Sequence, residues 1–442
     1  MRYVISVASL SGHKQSAADF ALLGGTPLFS APLHVGAPII GNRDVLLARI
    51  NDVLDRRWFT NDGPLVRELE LRIGAILDVQ HCVAVSSGTL ALQLVIRALA
   101  LAGEVLMPSF TFVGTAHALE WQRVKPVFGD IDPSSHSLDP ALIESMITAR
   151  TTGIIGVHLW GEPCAVEQLT AIAKHWHLKL IFDASHAFGC SHSGRMIGSF
   201  GDAEVFSFHA TKYFNTLEGG AVTTNDAELA AKVRLLRNFG FAGYDKVVSA
   251  GTNAKMNEIA AAMGLTGLES LDQFKEVNRH NYECYQRNLS GVPGVRIYPV
   301  CESEERNFQY VVIEWDAQNG ISRDLIVDLL HAENVIARRY FHPGCHRMEP
   351  YLSSCGVAGF PLPFTEALCD RVIVLPTGTS VNATQIEGVC SLLRSAQALA
   401  PDLLHLIRHS GRSTCQEAQT IECRLEPAST LELNQPRFPR HP

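Results

Sequence analysis

Apolar positions recur along this chain with two different periods. Between 43 and 57, Val45, Leu46, Ile50, Val53 and Leu54 repeat at the spacing of one helix face. A turn-rich link, Thr60-Asn61-Asp62-Gly63-Pro64, leads to a second helical pattern over 65–77. From Cys82 the text changes. Short apolar runs at 82–85, 104–107, 126–130, 153–158, 179–183, 203–207 and 220–223 read as buried strands. Helical spacing fills 89–100, 111–121, 139–148 and 165–176 between them. This alternation predicts a seven-stranded, mostly parallel sheet covered on both faces. Right-handed crossovers then bring the strands' C-terminal ends to one edge, where ligands of such sheets bind.

After helical patterns at 226–237 and 255–289, strand text returns at 294–299 and 308–315, followed by helices at 322–333 and 383–398. This reads as a smaller α+β domain. The predicted organisation is an N-terminal arm over 1–36, with Gly24-Gly25-Thr26-Pro27 as its turn, a large domain over 37–290 and a small domain over 291–400. Residues 401–442 are rich in Pro, Arg, Ser and Glu without periodicity and read as a disordered tail.

The balance of 46% hydrophobic and 19% charged residues fits a globular protein with a large core. With a net charge of −8 and no basic block, nucleic acid is not an expected partner. Eleven cysteines without a Cys-x-x-Cys pair argue against a disulfide framework. The N-terminal apolar run is too short for a signal peptide, and no stretch is long enough to span a membrane. The expected location is the cytoplasm.

Four strand ends carry candidate chemistry. Ser207-Phe208-His209-Ala210-Thr211-Lys212, followed by Glu218-Gly219-Gly220, sets a lysine just beyond an apolar strand. A lysine that forms a Schiff base must be partly desolvated so that its amine is neutral. Alone, Lys212 reads more readily as a solvated loop lysine, because most lysines lie at the surface. Ile181-Phe182-Asp183-Ala184-Ser185-His186 ends another strand in a carboxylate, which can hold a proton on a pyridine nitrogen or simply cap a helix. Val85-Ser86-Ser87-Gly88-Thr89 runs from a strand into a helix whose N-terminus suits a phosphate. It is neither a Walker motif nor a Gly-x-Gly-x-x-Gly fingerprint. Pro108-Ser109-Phe110-Thr111-Phe112 supplies Phe112, either a face for a planar ring or a core residue.

Taken in this order, the chain resembles the DegT/DnrJ/EryC1/StrS family of nucleotide-sugar aminotransferases from about Phe20 to Ala400. His158-Leu159-Trp160-Gly161 and Asn253-Ala254-Lys255-Met256-Asn257-Glu258 add to the likeness. The resemblance implies a fold type I architecture and pyridoxal 5′-phosphate as cofactor. It implies that Lys212 carries the cofactor and shuttles a proton. Asp183 pairs with the pyridine nitrogen, His186 lies near the phenolic oxygen and Phe112 stacks on the ring. Gly88, Thr89 and Ser207 hold the phosphate, and Asn253 reaches the phosphate in a neighbouring subunit, so a homodimer with shared active sites is expected.

The implied reaction moves an amine from an amino acid, glutamate in the first instance, to a nucleotide-linked keto-deoxysugar. A dehydratase branch replaces the lysine by histidine, so Lys212 favours transamination over that rival. A catalytically silent regulatory protein of the same fold is the other rival. Leu217 departs from the family, where many members have glycine. His342-Pro343-Gly344-Cys345-His346 lacks the companions of a metal site, and no metal is expected. Tyr340, His342, Arg338 and Arg339 are further candidates for substrate contact, the arginines by bidentate bonds to a carboxylate or diphosphate.

Overall fold

The computed structural model describes residues 14–317, 320–354 and 360–409. Seven strands form its central sheet: β1 His81–Val85, β2 Glu104–Pro108, β3 Lys125–Gly129, β4 Thr151–Val157, β5 Lys179–Asp183, β6 Ala203–Ser207 and β7 Gly220–Thr224. The order is β1-β7-β6-β5-β4-β2-β3, and only β7 runs antiparallel, against both β1 and β6. The reversal brings the start of β7 to the edge where the parallel strands end. There Gly220 faces both Val85 and Ser207. A Cβ on Gly220 would stand 2.6 Å from the Phe206 carbonyl and 2.7 Å from the Gly88 nitrogen, so only glycine fits.

Helices α1 Arg43–Arg56, α2 Pro64–Leu77, α3 Gly88–Ala98, α4 Val113–Trp121, α5 Pro140–Met146, α6 Val166–His175, α7 Ala227–Arg237 and α8 Glu258–Leu268 surround the sheet. Phe182, Phe206, Leu106 and Ala221 face one side layer, and Val105, Val205, Ile181 and Val222 the other. Full burial of each large apolar side chain contributes about 1.5–3 kcal/mol. The turn at 60–64 meets the Asn257-Glu258 segment directly. Buried Glu258 accepts from Leu65 N at 3.0 Å and Val66 N at 2.9 Å, capping α2. A Cβ on Gly63 would collide with that carboxylate.

The single helical pattern expected over 255–289 is two helices, α8 and α9 Leu271–Leu289. Ala260–Gly267 is buried all round, whereas α9 is amphipathic and leaves the first layer for the second. That second layer is an antiparallel sheet of β8 Val295–Ile297, β9 Val311–Trp315 and β10 Val372–Leu375, in that order. Helices α10 Arg323–Ala332, α11 Tyr351–Ser354, α12 Pro363–Cys369, α13 Ala383–Ala398 and α14 Ala400–His409 complete it.

Two outer segments differ from their sequence expectation. Residues 14–34 lie in this second core, with Ala17, Phe20, Phe29 and Leu33 buried there. Leu33 pairs with Val335 as a short parallel strand. The tail expected from 401 begins as α14, whose Ala400 and Leu403 are buried in the same core, so its apolar face docks it there. Residues 410–442 lie outside the described residues. No described helix is long and apolar enough to cross a membrane.

Candidate active site

A cavity of about 440 Å³ opens at the C-terminal edge of the sheet. Seven of the eight expected site residues line it, Gly88, Thr89, Phe112, Asp183, His186, Ser207 and Lys212; Asn253 does not. Asp183 ends β5 and Ser207 ends the adjacent β6, so their side chains rise from neighbouring parallel strands. Lys212 follows β6, with its amine facing the cavity. Gly88 and Thr89 open α3, capped by Ser87, whose Oγ accepts from Leu90 N at 3.2 Å. A helix start of this kind leaves its first N–H groups without intrahelical partners. A Cβ on Gly88 would lie 2.9 Å from the Ser207 Cβ, so the glycine lets α3 close on β6.

Asp183 is 6% exposed. Thr115 Oγ1 donates to its Oδ2 at 2.7 Å and Ser185 N to its Oδ1 at 3.1 Å. Thr115, one helical turn into α4, was not expected from sequence. Its signal was the i, i+4 spacing from Thr111, which also puts it in contact range of that residue's hydroxyl at 3.5 Å.

Among the described residues Lys212 has a single hydrogen-bond acceptor, Tyr310 Oη at 3.2 Å. Desolvation lowers the lysine pKa to about 8 against the opposing pull of the Asp183 carboxylate and Tyr340. Some area of its side chain is exposed to the cavity, but the walls around the amine exclude bulk water. Tyr310 and Tyr340 both come from the second layer and line the same cavity. Burial raises the Tyr310 phenol above its usual range, keeping it neutral.

His186 is also buried, and desolvation with the nearby Lys212 charge holds its pKa well below the ordinary histidine value. Trp160 N donates to its Nδ1 at 3.3 Å, so the ring proton sits on Nε2. Trp160 takes φ 61°, a costly conformation for a side chain of this size, and its indole stacks on His186. This gives the 158–161 segment a physical purpose. His158 anchors it from below, donating from Nε2 to Glu204 at 2.9 Å and accepting from Cys164 N at Nδ1.

Phe112 resolves as a mouth residue: it is 59% exposed and lines the cavity. Asn253 is exposed and is not among the residues lining this chain's cavity. It bridges to Asn238 beside the end of β1. Arg338 and Tyr340 line the cavity, whereas Arg339 pairs with Asp324 and His342 packs toward Arg323. The 342–346 loop is a docking element. His346 Nδ1 meets Ser109 Oγ at 2.6 Å and Cys345 N donates to Ser109 O at 3.0 Å. Among the described residues no group of three or more His, Cys, Asp or Glu is placed to hold a metal. Leu217 adopts φ 66°, a left-handed conformation that explains why glycine suits this position elsewhere, and its side chain stays outside the cavity lining.

These residues fit a pyridoxal phosphate. A desolvated amine and a buried carboxylate share one cavity with a free helix N-terminus and an aromatic face, and the volume accommodates a ring and a phosphate.

The model of the DegT/DnrJ/EryC1/StrS aminotransferase family matches residues 42–394. The chain is 34% identical over 363 residues to the dTDP-4-amino-4,6-dideoxy-D-glucose transaminase of Shigella dysenteriae, covering 82% of this chain and 98% of that protein. It is 33% identical to the GDP-perosamine synthase of Caulobacter vibrioides, covering 77% and 96%. A crystal structure of DesI in the presence of its TDP-sugar product superposes with a TM-score of 0.86 at 47% identity, covering 89% of this chain and all of that one.

Proposed function

This chain belongs to the DegT/DnrJ/EryC1/StrS aminotransferase family, and from that membership we propose that it transfers an amino group from glutamate to a keto-deoxysugar linked to a nucleoside diphosphate, with pyridoxal 5′-phosphate held on Lys212. The observation that carries the reading is the pairing, in one cavity, of a desolvated Lys212 amine with the buried Asp183 carboxylate. The names of the two relatives supply the substrate class.

When bound, pyridoxal phosphate supplies a carbonyl that captures an amine and a ring that withdraws electrons from the carbon bearing it. Lys212 offers a neutral amine above about pH 8, which would hold the cofactor and would serve as the base and acid for the proton at the donor's α carbon. Tyr310 holds that amine toward the cavity. Asp183, oriented by Thr115 and Ser185, keeps a proton on the ring nitrogen. His186, neutral and with Nε2–H free to donate, serves the phenolic oxygen. Gly88, Thr89 and Ser207 receive the phosphate at the α3 N-terminus. Phe112 provides a face for the ring.

The active unit in this reading is a homodimer in which Asn253 serves the neighbour's phosphate. Its exposure outside its own cavity supports this, as do the exposed Phe239, Phe241 and Tyr244 on the adjoining loop. Mixing Lys212→Ala with Asn253→Ala subunits should restore activity that neither has alone, because a hybrid dimer holds one intact site. Failure to recover activity after verified subunit exchange would remove the shared site.

The functional test is an absorption spectrum. With added pyridoxal phosphate the protein should acquire a visible band that glutamate abolishes, and Lys212→Ala should not acquire it. Absence of the band in the unaltered chain overturns the reading. A band that glutamate leaves unchanged replaces glutamate by another donor.

A further inference from the structure

One permanent cation in the cavity has no task in the account above. Arg338 and Arg339 are adjacent in sequence but differ in circumstance. Arg339 Nη1 donates to Asp324 Oδ1 at 2.9 Å and is not among the lining residues. Arg338 lines the cavity, is exposed, and has no carboxylate partner among the described residues. Its backbone is nonetheless fixed. Arg338 N donates to Val374 O at 3.0 Å, and Val374 N returns a bond to Arg338 O at 2.8 Å. Its guanidinium carbon lies 5.5 Å from the centre of the Tyr340 ring. Tyr340 meets Tyr310 edge-on at 6.4 Å, and Tyr310 holds the Lys212 amine. Arg338, Tyr340, Tyr310 and Lys212 thus follow one another by contact along the lining of one cavity.

We infer that Arg338 recognises the α-carboxylate of the amino donor. The inference rests on the aminotransferase reading and adds to it the residue that selects an amino acid. A donor carries its carboxylate on the same carbon as the amine, so an amine delivered to Lys212 brings an anion close beside it. An unpaired anion in a cavity that already holds the carboxylates of Asp183 and Glu218 is costly. The other basic side chains of the lining do not answer it: Lys212 is the reacting amine, His186 is held neutral, and His209 faces Glu218 at 3.6 Å. A planar guanidinium takes a carboxylate through two parallel N–H bonds, which also fixes the donor's orientation. The diphosphate of a nucleotide sugar is set apart from its keto carbon by the sugar ring, and so falls farther from Lys212 than this.

The test uses the full chain loaded with pyridoxal phosphate, as wild type, Arg338→Gln and Arg338→Lys. Glutarate, which has both carboxylates but no amine, is titrated by calorimetry. Single-turnover spectra then follow glutamate in one direction and an amino-deoxysugar nucleotide in the other. Arg338→Gln should weaken glutarate and glutamate by at least about tenfold, as loss of one charge-assisted pair implies, and leave the sugar nucleotide nearly unchanged. Arg338→Lys should recover only part of the loss. Equal glutarate affinity in wild type and Arg338→Gln overturns the inference, as does a loss confined to the sugar nucleotide, which would assign Arg338 to the diphosphate. Glutarate binding requires no amine transfer, so failure of transamination is distinguishable from failure of this assignment.

Discussion

Lys14 and Lys212 are both drawn away from bulk water, one in the N-terminal arm and one in the cavity. Lys14 has an acceptor for each of its three N–H groups: Asp19 O at 2.7 Å, Thr26 O at 2.8 Å and Glu333 Oε1 at 3.0 Å. Glu333 is fully buried and also accepts from Ala21 N and Leu28 N. Lys212 has one neutral acceptor among the described residues, and its pKa falls to about 8. Where every donor is met, the amine is a clamp that fastens the arm to the second core. Where donors are left over, desolvation makes the amine available for reaction. The arm exploits a complete polar network; the cavity depends on an incomplete one.

Replacing each lysine's role should break this contrast in opposite directions. Lys212→Ala should lower multiple turnover by at least about a thousandfold, the upper part of the range for acid–base groups, and leave the melting temperature undiminished. A variant that still turned over repeatedly would dismiss Lys212. The unaltered amine has a pH signature with a definite sign. It is protonated below about pH 8 and neutral above, so cofactor uptake by the empty chain should rise through pH 8 and level off. An ordinary lysine would keep gaining rate up to about pH 10.4.

Glu333→Ala should do the reverse, costing about 3–5 kcal/mol of stability because Lys14 and two backbone N–H groups lose their buried partner. Urea unfolding measures the loss, and the visible cofactor band should persist below the transition. An unchanged midpoint would show that the arm's network is dispensable. Asp183→Asn has a smaller effect on the reaction. It removes one charge-assisted interaction worth about 1.5–3 kcal/mol, so kcat at saturating cofactor should fall roughly tenfold to hundredfold. A kcat equal to that of wild type would detach Asp183 from the chemistry.

The sheet was legible because its strands are short apolar runs between helical patterns, and all seven were located to within two residues at either end. Lys212, Asp183 and the turn at Ser87 were legible as strand-end residues for the same reason. Tyr310, Thr115 and Trp160 were not, because they reach the cavity through tertiary packing: Tyr310 arrives from the second layer, and Trp160 acts through a main-chain N–H. The run Val372–Leu375 was overlooked although its apolar composition and the following Pro376 mark a strand. The arm's burial had no periodic signal, since Phe20, Phe29 and Leu33 are spaced irregularly across turns.

Tyr310→Phe isolates the one bond that Lys212 makes, and it sharpens the comparison with Lys14. The change removes a hydroxyl and keeps the ring, so the cavity wall should stay in place. Lys212 donates that bond, and a donated bond favours the charged ammonium over the neutral amine. Its loss should therefore move the lysine pKa further down from about 8, by roughly half a unit to one unit for a bond worth about 0.5–1.5 kcal/mol. The pH dependence of Lys212 labelling by an amine-specific reagent in the empty chain reads this without any turnover, with peptide mapping to identify the lysine. A midpoint that moves down, together with a lower kcat and an unchanged KM for glutamate, makes Tyr310 a positioning residue for the amine. A midpoint that stays in place would leave burial alone to account for the reactivity of Lys212, and the contrast with Lys14 would then rest on desolvation rather than on the count of acceptors.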